Sequence, residues 1–108
     1  MHLREYQRKS IRTLNMSLTD RELLSNMIMG IAGEGGEVAD IIKKHLYQGH
    51  RLDYEALKEE IGDVMFYIAN LCNVLDLDLE IIIGENYDKL SKRYPGGFSE
   101  ERSINREG

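Results

Sequence analysis

The chain has one cysteine and no excess of positive charge, and each shortage excludes something. With Cys72 alone, no intrachain disulfide can form, and the chain fits a reducing, cytoplasmic setting. Cys72 lies among Ile68, Leu71, Val74 and Leu75, so it reads as buried filler rather than a nucleophile. A bilayer-spanning helix needs about 20 apolar residues. The best stretch here, Val64 to Leu75, stops at Asp76. The opening Met1-His2-Leu3-Arg4-Glu5-Tyr6 lacks the apolar core of a signal peptide. A net charge of −5 argues against non-specific binding to nucleic acid or to an anionic membrane. No internal repeat or low-complexity segment stands out, and no stretch alternates as a strand would.

What remains is helical spacing on a chain of one-domain length. Leu3, Tyr6, Ile11 and Leu14 predict a short first helix. Ser17, Thr19 and Asp20 offer N-caps for a second, running from about Asp20 to about Tyr47, with Gly49 as its stop. Asp53 caps a third that continues to about Leu75. Asp76 or Asp78 caps a fourth, which must end before Pro95 because the residue preceding proline resists the α region. The expectation is an all-α, four-helix, bundle-like domain over residues 1–95. The polar tail, residues 96–108, is expected to be extended or mobile.

Two acidic pairs lie where these helices should be apolar. Glu34 and Glu37 share a stripe with Met27, Ile31, Val38 and Ile41, and Glu60 and Asp63 share one with Leu57, Val64, Tyr67 and Leu71. An i, i+3 acidic pair is commonly solvated surface. Two inward pairs on successive helices are different, because a buried carboxylate costs several kcal/mol unless a positive charge answers it. Hard oxygen ligands alone suit Mg²⁺ or Mn²⁺ better than zinc. A carboxylate-bridged di-iron site would add His three residues after Glu, and neither His45 nor His50 lies there.

Gly30, Gly33, Gly35 and Gly36 crowd the second helix. Either they interrupt it or they let a backbone or ligand approach closely. They do not form a P-loop, which needs Lys and Ser or Thr where Glu37 and Val38 follow. Lys44 lies near the edge of Glu37's face and is placed to pair with it. On the fourth helix Asn86, Lys89 and Arg93 share a face with Ile82, Ile83 and Leu90 that is expected to point inward. Like charges at i, i+4 are unfavourable unless an anion bridges them, and a Mg²⁺-bound phosphate substrate would do so. Asp88 and Lys92 form an opposite-charge i, i+4 pair on the solvent side.

The chain resembles the MazG-type nucleoside triphosphate pyrophosphohydrolases. The resemblance rests on Gly33-Glu34-Gly35-Gly36-Glu37, Glu60-Ile61-Gly62-Asp63, Asn86 to Pro95, Gly97-Phe98-Ser99 and the opening Tyr6-Gln7. It departs from the family's double Glu at Gly33, which puts only an auxiliary role in doubt. The resemblance implies Glu34, Glu37, Glu60 and Asp63 as Mg²⁺ ligands (Mn²⁺ being the alternative). It also implies a (d)NTP as substrate, hydrolysed between the α and β phosphates to (d)NMP and pyrophosphate. Asn86, Lys89 and Arg93 would bind phosphates, Glu37 would be the base, and Tyr67 would touch substrate or pack. Relatives of this kind act as homodimers or homotetramers, which agrees with a second apolar flank on the third helix (Ile61, Met65, Ile68, Cys72). The competing readings are a non-catalytic helical interaction module, a dUTPase-like enzyme and a phosphoribosyl-ATP pyrophosphatase.

Overall fold

A computed structural model describes residues 1–105. Five helices follow one another: α1 (Leu3–Ser10), extended by a 3-10 turn (Ile11–Thr13), α2 (Asp20–Tyr47), α3 (Tyr54–Val74), α4 (Leu79–Arg93) and α5 (Glu100–Ile104). No strand occurs among the described residues, as the spacing predicts.

The helix starts are fixed by side-chain caps that satisfy otherwise orphaned backbone N–H groups. Thr19 and Glu22 form a reciprocal capping box at α2: the Glu22 N–H donates to Thr19 Oγ1 at 3.2 Å, and the Thr19 N–H donates to Glu22 Oε1 at 2.9 Å. Asp53 caps α3 through the Ala56 N–H at 3.0 Å, and Asp78 caps α4 through the Glu80 N–H at 3.0 Å. Gly49 stops α2 with φ +73°, a conformation that favours glycine. His45 sits at that stop, with Nδ1 2.9 Å from the His50 carbonyl, a helix-end role rather than a metal ligand.

The long helices α2 and α3 form an antiparallel hairpin, and α1 packs across α3 and against α4. The buried apolar centre comprises Ala69, Cys72 and Leu79, with Leu3, Tyr6, Met65 and Ile68 packed around it. Burial also raises the Cys72 thiol above its usual pKa. Beside this centre runs a polar seam. Gln7 is buried; its Nε2 donates to Asn73 Oδ1 at 3.0 Å and to the Leu77 carbonyl at 2.8 Å, and its Oε1 accepts from the Leu79 N–H at 2.9 Å. Asn70, wholly buried, donates to Ser10 Oγ at 3.1 Å and to the Phe66 carbonyl at 3.0 Å. Every amide group of Gln7 is thus used, and α1 is tied to the turn that launches α4.

Two expectations need correction. The tail is not simply extended, because Ser99 caps the short helix α5, accepting from the Arg102 N–H at 3.3 Å; residues 106–108 lie outside the described residues. The face of α4 expected to point inward is exposed: Glu80 through Lys92 are all open to solvent, including Ile81, Ile82, Ile83 and Leu90. Helical periodicity identifies the apolar side of α4 correctly, but α4 packs on α1 and has little contact with α2 or α3. The radius of gyration is accordingly 17.2 Å, against about 13 Å for a compact chain of this length. The accessible surface is 8237 Å², about 2,000 Å² above the value its mass predicts.

Candidate metal centre

The α2–α3 hairpin carries the acidic pairs, and α2 runs unbroken through its glycines. The close approach they permit occurs at Gly30, where a Cβ would overlap the Tyr67 ring. Around Gly33, Gly35 and Gly36 an added Cβ would meet nothing within 4 Å. The tight packing at Gly30 brings α3 against α2 one turn before Glu34, and Tyr67 lies one turn after Asp63 on the facing helix.

Glu34, Glu60 and Asp63 each offer a carboxylate oxygen, and these oxygens lie within 4.8 Å of one another. Glu34 and Glu60 are half-buried and Asp63 is exposed. One oxygen of Glu60, Oε2, is buried and accepts from no donor among the described residues. The Glu60 carboxyl is pushed up to about 7, first by a hydrogen bond shared with Glu34, then by burial, then by the charges of Glu34, Asp63 and Glu37. Without a cation, like charges at this separation force a proton onto the cluster near neutral pH. The donor set fits a hard divalent ion on two counts: it is all carboxylate, and a buried lone pair points at no partner.

The fourth acid, Glu37, is exposed and stands outside the converging three, though its charge reaches Glu60. Lys44 does not pair with it; its Nζ is 2.9 Å from Asp40 Oδ2. Lys58 pairs outward with Glu55 at 2.7 Å. No lysine in these pairs neutralises the acidic cluster.

The basic trio is not brought to the acids within one chain. Asn86 and Lys89 are exposed on α4, and Arg93 is half-buried at its far end. Asp88 and Lys92 make no ion pair among the described residues, and Lys92 lines a cleft with Arg93 instead.

Tyr67 packs its ring over Gly30 and meets Phe66 edge-on, centroids 5.2 Å apart. Both aromatics line a cavity of about 180 Å³ that also touches Asn15, Asn26 and Met27. Sequence reasoning missed Asn15, Asn26 and Phe66 because they carry no spacing signal. It also missed that Tyr6 approaches Asp63: burial, then the Asp63 charge, raises the phenol's pKa.

Comparison with known proteins bears on this geometry. Residues 23–98 match the family model of the MazG nucleotide pyrophosphohydrolase domain, a span that includes all four acids, Tyr67 and the basic trio. The chain is similar to the Gene 37 protein of Mycobacterium phage L5, 39% identical over 92 aligned residues, a match that covers 79% of this chain and 78% of that protein. No solved structure matches significantly. No helix among the described residues is long and apolar enough to cross a membrane.

Proposed function

The chain belongs to the MazG nucleotide pyrophosphohydrolase family, and from that premise we propose that it hydrolyses a (d)NTP between the α and β phosphates, giving (d)NMP and pyrophosphate, with Mg²⁺ or Mn²⁺ as cofactor. The observation that carries this reading is the convergence of Glu34, Glu60 and Asp63, with a buried Glu60 oxygen left unpartnered.

Glu34, Glu60 and Asp63 would hold the ion, with Glu37 at its margin. When bound, a divalent ion of this type offsets triphosphate charge and acidifies water. Glu37 is solvent-facing and outside the three converging acids, so it is the carboxylate with capacity to take a proton from attacking water. Asn86, Lys89 and Arg93 would hold phosphate oxygens. Little covalent chemistry is asked of the protein, so placement and electrostatics dominate.

Because α4 meets α3 at its first residue, Leu79, and otherwise has little contact with α2 or α3 in its own chain, the basic trio would meet the acids of a second copy, making the working unit a homodimer or a tetramer of dimers. The excess surface supports this: about 2,000 Å² is more than twice the roughly 800 Å² each partner buries in a standard interface. Ile81, Ile82, Ile83 and Leu90 of α4 are part of the exposed surface.

The deciding experiment is a panel of NTPs and dNTPs with Mg²⁺, products separated by chromatography, for the native chain and for Glu60→Gln and Glu37→Gln. Monophosphate plus pyrophosphate from the native chain, lost in both variants, is the expected outcome. Diphosphate plus phosphate, or full activity in Glu60→Gln, refutes the proposal.

A further inference from the structure

Lys92, Arg93 and Arg102 line one cleft of about 620 Å³ where the end of α4 meets α5, together with Ser99, Glu101 and Asn105. Among the described residues, three cations against one carboxylate make a local excess of positive charge on a chain whose net charge is −5. None of the three cations is ion-paired among the described residues. Arg93 Nε is buried and has no hydrogen-bond partner among the described residues. Native structures rarely leave such a donor idle, and this one belongs to a side chain that lines the cleft.

The cleft is built by local sequence. Pro95 forbids a further turn of α4, and the Gly97 N–H donates to the Tyr94 carbonyl at 3.0 Å, closing a turn. Gly97 has φ +96°, which a residue with a Cβ rarely adopts. The Tyr94 and Phe98 rings then lie with centroids 5.5 Å apart, tilted at 44°, and Ser99 follows as the cap of α5. Ser99 Oγ accepts from the Arg102 N–H, so its own O–H is available to donate.

We infer that this cleft binds the di- or triphosphate chain of a nucleotide or of pyrophosphate, and that Arg102 and Ser99 of the tail act there as positioning residues with Arg93. A guanidinium pair with an ammonium suits several phosphate oxygens at once. The volume exceeds what a lone carboxylate fills, and the acidic remainder of the chain repels an extended nucleic acid. Arg102 and Ser99 lie beyond residue 98, where the family match ends. The inference rests on the hydrolase reading for which phosphate compound arrives, not for the cleft itself.

The test is calorimetric titration of the full chain with inorganic pyrophosphate in EDTA, which silences the acidic cluster. Arg102→Ala should weaken binding about tenfold, the loss typical of a charge-assisted hydrogen bond, and Arg102→Lys should restore part of it. Arg12→Ala, on the exposed turn after α1, should bind as the native chain does. Unchanged affinity in Arg102→Ala, or an equal loss in Arg12→Ala, overturns the inference. An α,β-methylene triphosphate analogue, titrated in parallel, separates the two ligand sources: weakening of both ligands assigns the cleft to substrate phosphates, and weakening of pyrophosphate alone assigns it to product. Pyrophosphate binding that depends on Arg102 in a chain that cleaves no NTP would keep the cleft and refute the hydrolase. Loss of hydrolysis in Glu60→Gln with Arg102 immaterial to binding would do the reverse.

Discussion

The ring of Tyr67 rests directly on the backbone of Gly30, leaving no room for a methyl group at residue 30. Gly30→Ala is therefore expected to destabilise the fold by about 1–3 kcal/mol, the usual cost of overpacking, despite alanine's better helix propensity. Gly33→Ala and Gly36→Ala, where a Cβ meets nothing, should instead stabilise α2 by about 0.5–1 kcal/mol each. Urea denaturation of the three variants checks the contrast. A stabilised Gly30→Ala would mean that the ring does not sit on the glycine in solution.

Millimolar Mg²⁺ or Mn²⁺ should raise the melting temperature, because a ligand taken only by the folded state stabilises it, by about 2.7 kcal/mol at a hundredfold excess over Kd. Glu60→Gln should erase most of that shift while melting no lower than the native chain in EDTA, since it relieves repulsion from Glu34 and Asp63. A melting curve indifferent to metal would count heavily against the centre.

The proton that Glu60 holds has a consequence for stability. Its folded-state pKa is raised to about 7 from an ordinary 4.5, so the folded chain binds a proton that the unfolded chain releases. The metal-free protein should be most stable below pH 4.5 as far as this group is concerned. It should lose stability as pH rises from 4.5 to about 7, with no further change from this group above that. The difference in stability between the native chain and Glu60→Gln, followed by denaturation in EDTA from pH 4.5 to 8, isolates the effect. A flat difference across that window would refute it.

Gln7→Leu should be among the most damaging single changes outside the acidic cluster. It orphans the Leu79 N–H, the Leu77 carbonyl and part of Asn73, at roughly 1–3 kcal/mol for each buried group left unpaired. Hydrogen exchange at the Leu79 amide gives a local readout. Protection equal to the native chain would show that the bond is dispensable.

The helix boundaries were legible because their determinants are local: Thr19, Asp53 and Asp78 cap, and Pro95 terminates. The acidic stripe was legible for the same reason, since i, i+3 spacing fixes which way Glu34, Glu60 and Asp63 project. Spacing could not separate Glu37 from Glu34, because the two differ in their distance from α3 and not in periodicity. It also named the apolar side of α4 without revealing what covers it, so Asn86 and Lys89 were expected to face inward and are exposed. Gln7 enters the sequence reading only through the resemblance of the opening Tyr6-Gln7, and its role shows only where α1, α3 and α4 meet. Lys44 had two acids within reach along α2, and Asp40, four residues before it, is the one it pairs with.

Gln7 lies outside residues 23–98, the span that matches the family model. An expression boundary drawn at Leu23 would keep every proposed ligand and discard the clasp that aims α4. Under the proposed hydrolysis, such a truncated protein would keep the acids and the basic trio and lack the alignment, and its shortfall in turnover would be mistaken for a defect in residues that are intact.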